Sequence, residues 1–126
     1  MKYLLDTHIL IWLFEGNEKI SETAKSILFN SSNRIFVSIV SLWEVAIKMN
    51  IGKYSFEGGF PAFNKLVDEN EFKILSVNRE HMELLFELPL IHRDPFDRLL
   101  IATAKHENMT ILTSDENIQK YEVNCI

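Results

Sequence analysis

Short apolar runs alternate with amphipathic segments along almost the whole chain, and this alternation limits the folds that are open to it. Strands are predicted over residues 3–5, 35–37, 72–77, 110–113 and 123–126. Helices are predicted over residues 7–14, 22–30, 62–69, 79–87, 95–107 and 116–120, with another that follows Ser38 or Ser41 and ends near Asn50. Because parallel strands separated by helices are joined by right-handed crossovers, we expect an α/β three-layer sandwich around a mainly parallel sheet of four or five strands.

Length and composition indicate one domain, residues 1–126, with a single core. The chain has 126 residues, of which 47% are hydrophobic, and its only cysteine is Cys125, which fits a reducing compartment. It has neither a basic, apolar leader nor a run of about 18 apolar residues, so we expect a cytoplasmic protein outside the membrane. The net charge of −5 argues against a non-specific nucleic-acid coat but leaves room for a local basic surface.

The helix predicted to begin at Pro95 carries an acid on its apolar side. Asp94 suits the N-cap position and Pro95 the first helical position. At about 100° per residue, Asp97 lies on the side of Leu100 and Ile101, which must face the core. Considered alone, Asp97 is equally well explained as a charge that favours the positive end of the helix.

Three further acids occupy matching places in the chain. Asp6 and Asp115 directly follow predicted strands, at the carboxyl ends where open α/β sheets bind ligands. Glu44 and Asp97 are predicted in the first turns of helices that follow loops at the same edge. Four carboxylates from distant segments are therefore expected to converge on one spot.

Each of these acids also has an explanation in which it only stabilises a helix. Asp6 and Asp115 can cap the helices that follow them. Ser41 and Glu44 have the spacing of a capping box, with Lys48 as an ion-pair partner one turn later. None of these explanations accounts for the fact that the acids share one edge of the sheet.

A cluster of carboxylates requires a counter-charge, because like charges a few ångströms apart repel each other. Oxygen ligands without a thiolate or a required histidine suit Mg²⁺ or Mn²⁺. Such an ion lowers the pKa of a bound water and neutralises charge that develops on a phosphoryl group. The chemistry indicated is therefore metal-dependent hydrolysis of a phosphodiester bond.

Four stretches that contain these acids form an ordered set, namely LLDTH (4–8), VSIVSLWE (37–44), HRDPFDRLLIA (92–102) and LTSD (112–115). In order and spacing, they resemble the successive motifs of PIN-domain ribonucleases. The most similar group is the VapC-like toxins of bacterial type II toxin–antitoxin systems. The similarity spans nearly the whole chain.

The resemblance implies a set of four acids that are both catalytic and metal-ligating, Asp6, Glu44, Asp97 and Asp115. The family often has a hydroxyl residue near the last acid, and Thr113 or Ser114 matches it here. Asp94 is an additional acid of second rank, since its capping role is enough to explain it. The implied cofactor is Mg²⁺ or Mn²⁺.

The resemblance also implies an activity and partners. The activity is an endoribonuclease that leaves a 5′-phosphate and a 3′-hydroxyl, and the partners are an RNA substrate, a small antitoxin protein and a second copy of the chain. The helix that carries Glu44 is apolar on two sides, which indicates full burial or contact with a partner. One side has Val40, Ile47 and Ile51, and the other has Leu42, Ala46 and Met49.

Two other functions are compatible with an α/β protein that carries clustered acids. A Mg²⁺-binding signalling module of the receiver type needs two adjacent acids after the first strand and a lysine after a late strand. Here Asp6 stands alone, and the late strand is followed by Ser114 and Asp115. The second alternative is a PIN-like protein that only binds a partner, and the presence of all four acids argues against it.

Several conspicuous side chains receive no role from the sequence. His8 is expected to pack or hydrogen-bond rather than bind Mg²⁺, which prefers oxygen ligands. Core or interface positions are expected for Trp12 and Trp43. Three basic residues that flank the start of the helix with Asp97 are compatible with phosphate contacts: His92, Arg93 and Arg98. Arg98 could equally pair with Asp94.

Overall fold

Four parallel strands form the central sheet of the computed structural model, which describes residues 1–126. The strands are β1 (Lys2–Leu5), β2 (Arg34–Ser38), β3 (Lys73–Leu75) and β4 (Thr110–Leu112). Their order across the sheet is β3-β2-β1-β4, and every neighbouring pair is parallel. The predicted α/β architecture is confirmed, with four strands in the sheet.

Seven helices connect or follow the strands. They are α1 (Thr7–Glu15), α2 (Glu22–Leu28), α3 (Ile39–Asn50), α4 (Gly59–Glu69), α5 (Arg79–Glu87), α6 (Pro95–Glu107) and α7 (Glu116–Gln119). Local capping sets several of their first residues, because a polar side chain satisfies backbone N–H groups that lack a partner within the helix. Ser21 caps α2, Ser38 caps α3 and Asp94 caps α6.

The core is divided between the two faces of the sheet. Alternate residues of a strand point to opposite faces, so Leu5 and Leu4 of β1 enter different clusters. The cluster with Leu5 also contains Leu10 and Phe63, from α1 and α4, whereas the cluster with Leu4 contains Leu100 from α6. Helices therefore cover both faces of the sheet, which makes the three layers that were expected.

The predicted last strand, residues 123–126, is not part of the sheet. The chain pairs with β4 only through one bridge between Ile111 and Cys125. The Ile126 N–H donates to the carbonyl of Ile111 at 2.9 Å, but the Val123 N–H turns back to the carbonyl of Tyr121. With the bonds from the Ile111 N–H to Asn124 and from the Thr113 N–H to Ile126, the pairing covers only residues 124–126, which is an isolated bridge rather than a fifth strand.

Two boundaries also differ from those expected. β3 is limited to Lys73–Leu75 rather than residues 72–77. α4 begins at Gly59 rather than after Pro61, because Gly58 adopts a left-handed conformation with φ of 88° and turns the chain into the helix earlier. No helix of the chain has the length and apolar character needed to cross a membrane.

The register between β1 and β4 determines where the functional side chains meet. Leu5 of β1 lies opposite Leu112 of β4, and the Asp6 N–H donates to the carbonyl of Leu112 at 3.0 Å. The residues that follow both strands therefore emerge side by side at the carboxyl edge of the sheet.

Candidate active site

Asp6 lies at the end of β1 and caps α1, with only 1% of its surface exposed. Its Oδ2 accepts a 2.7 Å hydrogen bond from the Thr113 hydroxyl, and its Oδ1 accepts a longer one of 3.4 Å from the His8 backbone N–H. Burial raises the pKa of Asp6 above its ordinary value of 3.8; Thr113 and His8 oppose this rise, and the charge of Asp115 adds to it. The first predicted site acid is therefore buried and held by a hydroxyl from β4's end.

Glu44 is buried in the second turn of α3 rather than the first, and the capping-box explanation is wrong. Ser38 caps the helix, so Ser41 is already helical, and its hydroxyl accepts a 2.9 Å hydrogen bond from Thr7. The predicted ion pair is present, with Lys48 Nζ 3.0 Å from Glu44 Oε2. The other oxygen, Oε1, is fully buried and has no hydrogen-bond partner.

Asp97 is the third residue of α6 and is 5% exposed. Burial is the first cause that raises the pKa of this carboxyl from 3.8 to about 8. The remaining causes are the negative charges of its neighbours, in order of effect Asp6, Asp94, Glu44 and Asp115. Three of these acids, Asp6, Glu44 and Asp115, come from other segments of the chain, so the fold brings them close to Asp97.

Asp115 follows β4 and caps α7, with its Oδ1 accepting from the backbone N–H groups of Asn117 and Ile118. Its Oδ2 lies 3.3 Å from Nε2 of His92, and the same nitrogen lies 2.9 Å from Oδ2 of Asp97. The sequence placed His92 only among basic residues compatible with phosphate contacts. Because His92 lies two residues before the N-cap of α6, the sequence could have indicated that its side chain lies near Asp97.

The two hydroxyl residues near the last acid have different environments. Thr113 is buried, donates to Asp6 and accepts a 2.9 Å hydrogen bond from the Asp115 N–H. Ser114 is exposed. Of the two hydroxyls proposed by resemblance, only that of Thr113 joins the acids.

Asp94 has the predicted capping role, since its Oδ1 accepts from the backbone N–H groups of Phe96 and Asp97. It also lies close enough for its charge to raise the pKa of Asp97. Arg98 does not pair with Asp94; its Nη2 donates to the carbonyl of Leu88 at 3.2 Å. This contact ties the loop before α6 to the helix.

The conspicuous aromatic residues lie around the site rather than in it. His8 is exposed, with its ring 6.1 Å from the ring of Trp12. Trp43 is 59% exposed, so it is not a core residue, and it packs edge-on against Phe96 at 5.1 Å between ring centroids. An interface position therefore remains the explanation for Trp43.

The arrangement fits a hard divalent cation. The donor set consists of carboxylate oxygens, which Mg²⁺ and Mn²⁺ prefer. Among these acids, only Glu44 forms an ion pair with a lysine or arginine, namely Lys48. A buried carboxylate oxygen without a partner is costly in a folded protein, and Glu44 Oε1 is such an atom. A bound cation would satisfy that oxygen and relieve the mutual repulsion of the acids.

The sequence of residues 3–124 matches the PIN domain family. The match covers nearly the whole chain, so the protein belongs to this family, whose members are nucleases. No curated protein sequence matches the chain significantly.

Solved toxin–antitoxin structures share the fold. A chain of VapBC2 from Rickettsia felis, crystallised with a DNA fragment from its promoter, has a TM-score of 0.77 at 16% identity, with 100% of this chain and 98% of that one covered. A chain of VapBC-1 from nontypeable Haemophilus influenzae has a TM-score of 0.71 at 21% identity, covering 100% and 97%. A chain of FitAcB from Neisseria gonorrhoeae has a TM-score of 0.67 at 16% identity, with 98% of this chain and 96% of that one covered. At these identities the likeness concerns the fold.

Proposed function

We propose that this protein is a Mg²⁺- or Mn²⁺-dependent endoribonuclease and the toxin of a type II toxin–antitoxin pair. Family membership supports a nuclease, and the toxin–antitoxin structures with the same fold support the toxin. The observation that carries the metal dependence is the buried, unpartnered Oε1 of Glu44 within a group of mutually repelling acids.

The ion would be held by the four acids at the carboxyl edge of the sheet, Asp6, Glu44, Asp97 and Asp115. When bound, it supplies a water of lowered pKa and a positive charge beside the phosphoryl oxygens. Asp94 lies at the margin of this group and keeps its cap on α6.

The side chains of the cluster prepare the site in three ways. Asp97, with a pKa of about 8, holds a proton at neutral pH in the metal-free protein and must release it to become a ligand. The Thr113 hydroxyl orients Asp6 so that Oδ1 remains for the ion. One of the four acids, holding the ion through a water molecule rather than directly, would accept the proton of the attacking water. The P–O3′ bond would break, and the departing O3′ would take a proton from solvent, which leaves a 5′-phosphate and a 3′-hydroxyl.

The proposal extends to partners and location. An antitoxin is supported by the toxin–antitoxin complexes among the similar structures. A homodimer is supported by exposed apolar residues beside the site, where Ile39 is 46% and Trp43 is 59% exposed. We place the protein in the cytoplasm, where an RNA substrate is available, and we assign the entire chain, residues 1–126, to one PIN domain.

Asp97→Asn tests the function, because it keeps the size of the side chain and removes the charge that an ion needs. The variant should lose most of its Mn²⁺-dependent cleavage of RNA, because the ion is held more weakly without this charge. It should fold normally, as measured by urea denaturation, and should no longer arrest growth when expressed.

The matched control is Asp68→Asn, at the one aspartate that lies outside the cluster, on the exposed surface of α4. It should cleave RNA at the wild-type rate. A protein that only binds a partner would show no metal-dependent cleavage in any variant, and full activity in folded Asp97→Asn would exclude the mechanism proposed for the acids.

A further inference from the structure

One histidine side chain joins two acids of the cluster that come from different parts of the chain. Nε2 of His92 lies 2.9 Å from Oδ2 of Asp97 on α6 and 3.3 Å from Oδ2 of Asp115 after β4. The three ligand-type atoms lie within 4.8 Å of one another. The imidazole ring therefore lies between the two carboxyl groups.

The other ring nitrogen shows which hydrogen bonds this histidine makes. Nδ1 of His92 accepts a 3.2 Å hydrogen bond from the backbone N–H of Asp94, so Nδ1 carries a lone pair and no proton. A neutral imidazole has a single N–H, which must then be on Nε2. His92 is thus a donor to Oδ2 of Asp115 at 3.3 Å, while Oδ2 of Asp97 lies 2.9 Å from the same nitrogen without the geometry of a hydrogen bond.

The position of His92 is itself fixed by the surrounding fold. Its backbone N–H donates to the Tyr121 hydroxyl at 2.8 Å, and the neighbouring Ile91 N–H donates to the same oxygen at 3.1 Å. Tyr121 is only 5% exposed, and the His92 side chain is 13% exposed. The ring is held from its backbone, from Nδ1 and from Nε2.

The contacts of His92 leave one carboxylate oxygen open for an ion. Oδ2 of Asp97 lies against Nε2 of His92, whereas Oδ1 of Asp97 accepts no hydrogen bond and remains for a ligand. Asp115 is held more completely, because its Oδ1 caps α7 while its Oδ2 accepts from His92. A donor in this position can stay bonded while the open oxygen takes part in coordination.

We propose that His92 is a positioning residue that holds Asp97 and Asp115 in the geometry that binds the divalent ion. This inference rests on the function proposed above. The Nε2–H group fixes the orientation of Asp115, lies against Asp97, and offsets part of the negative charge that appears when both acids are ionised to bind the ion. Groups that orient metal ligands in this way affect metal affinity by about 10–100-fold when they are removed.

Three substitutions separate the donor from the rest of the side chain. His92→Gln places an amide N–H near the position of Nε2. His92→Asn can still accept from the Asp94 N–H but is too short to reach both acids, and His92→Ala removes both interactions. The control is Asn70→Ala, at an exposed polar residue that follows α4.

The measurement is calorimetric titration of the metal-free protein with Mn²⁺, with urea denaturation of each variant alongside. The dissociation constant should rise at least about tenfold in His92→Ala and His92→Asn. His92→Gln should recover most of the affinity, and Asn70→Ala should match the wild type. Urea denaturation separates a lost donor from lost packing, because lost packing lowers the free energy of unfolding together with the affinity, whereas a lost donor weakens Mn²⁺ binding in a variant of near wild-type stability.

Other outcomes contradict the proposal. Equal or tighter Mn²⁺ binding in His92→Ala or His92→Asn would mean that the ring competes with the ion, and if His92→Ala fails to fold, the Asn and Gln variants decide. Failure of the wild type to bind Mn²⁺ or cleave RNA would reject this role together with the proposed function. Binding by the wild type that is unchanged in all His92 variants would reject only the role of His92.

Discussion

The Thr113 hydroxyl donates a 2.7 Å hydrogen bond to Oδ2 of Asp6, across 107 positions of the sequence. The same hydroxyl oxygen accepts from the Asp115 backbone N–H at 2.9 Å. One side chain therefore connects the acid that follows β1 with the acid that follows β4. The contact depends on the parallel pairing of these strands, which brings their carboxyl ends together.

Thr113→Val should destabilise the protein, because it keeps the shape of the side chain and leaves the buried Asp6 carboxyl without its hydroxyl donor. The expected loss in the free energy of unfolding is about 1–3 kcal/mol. Urea denaturation at neutral pH measures it. Thr113→Ser should recover most of the loss, and Ser114→Ala, at an exposed position, should stay within about 0.5 kcal/mol of the wild type. Wild-type stability in Thr113→Val would show that the bond contributes nothing.

Divalent ions should raise the thermal midpoint of the protein, since they bind the folded acid cluster and not the dispersed acids of the unfolded chain. An ion at 100 times its dissociation constant adds about 2.7 kcal/mol of stability. Asp6→Asn should reduce this effect and should raise the stability of the metal-free protein, because a neutral amide is easier to bury than a carboxylate. Calorimetry that gives the same midpoint in EDTA and in millimolar Mg²⁺ would argue strongly against a metal site.

The elements that follow from local chemistry were predictable from sequence. The apolar run that forms β1 and the Asp94-Pro95 start of α6 are both signalled by adjacent residues. The place of Glu44 in α3 required a choice between Ser38 and Ser41 as the cap, and pairing of β2 with its neighbours as far as Ser38 decided it. That information lies in the tertiary structure.

The identity of the acids could be predicted from the sequence, but the contacts around them could not. The link from His92 to Asp97 and Asp115 requires the loop before α6 to be anchored by Tyr121, which lies 29 positions later in the chain. Likewise, the segment 123–126 has the composition of a strand, but its path gives it only one bridge to β4. Spacing along the sequence contains neither relationship.

The protein should form a homodimer of about twice 14.7 kDa through the exposed apolar side chains beside the site. Trp43 is 59% exposed and packs against Phe96, and burying such an aromatic surface favours association. Sedimentation at micromolar concentration should show the dimer, and Trp43→Lys should shift it to monomer. Phe29→Lys is the control, because Phe29 is also exposed, at 75%, but lies after α2. A wild type that sediments only as monomer would contradict the prediction.

The stability of the metal-free protein should fall as the pH rises from about 4 to about 8, because of Asp97. Its pKa is about 8 in the folded protein against an ordinary value of 3.8, so over this interval the folded state holds a proton that the unfolded state has lost. The stabilisation is complete below the unfolded pKa and is lost as the pH rises through the folded pKa, with a slope of at most about 1.4 kcal/mol per pH unit. The raised pKa of Asp6 acts in the same direction.

Urea denaturation in EDTA at pH 5, 6, 7 and 8 tests this dependence, with Asp97→Asn measured in parallel because its amide does not titrate. As the pH rises, the wild type should lose stability relative to the variant, since only the wild type loses a proton from this position. The unfolding free energy of the wild type minus that of the variant should therefore fall steadily. Saturating Mn²⁺ should remove the decline, because an ion-bound Asp97 is already ionised in the folded state. A difference that stays constant from pH 5 to pH 8 in EDTA would mean that Asp97 is ionised throughout. Burial and the neighbouring acids would then not raise its pKa.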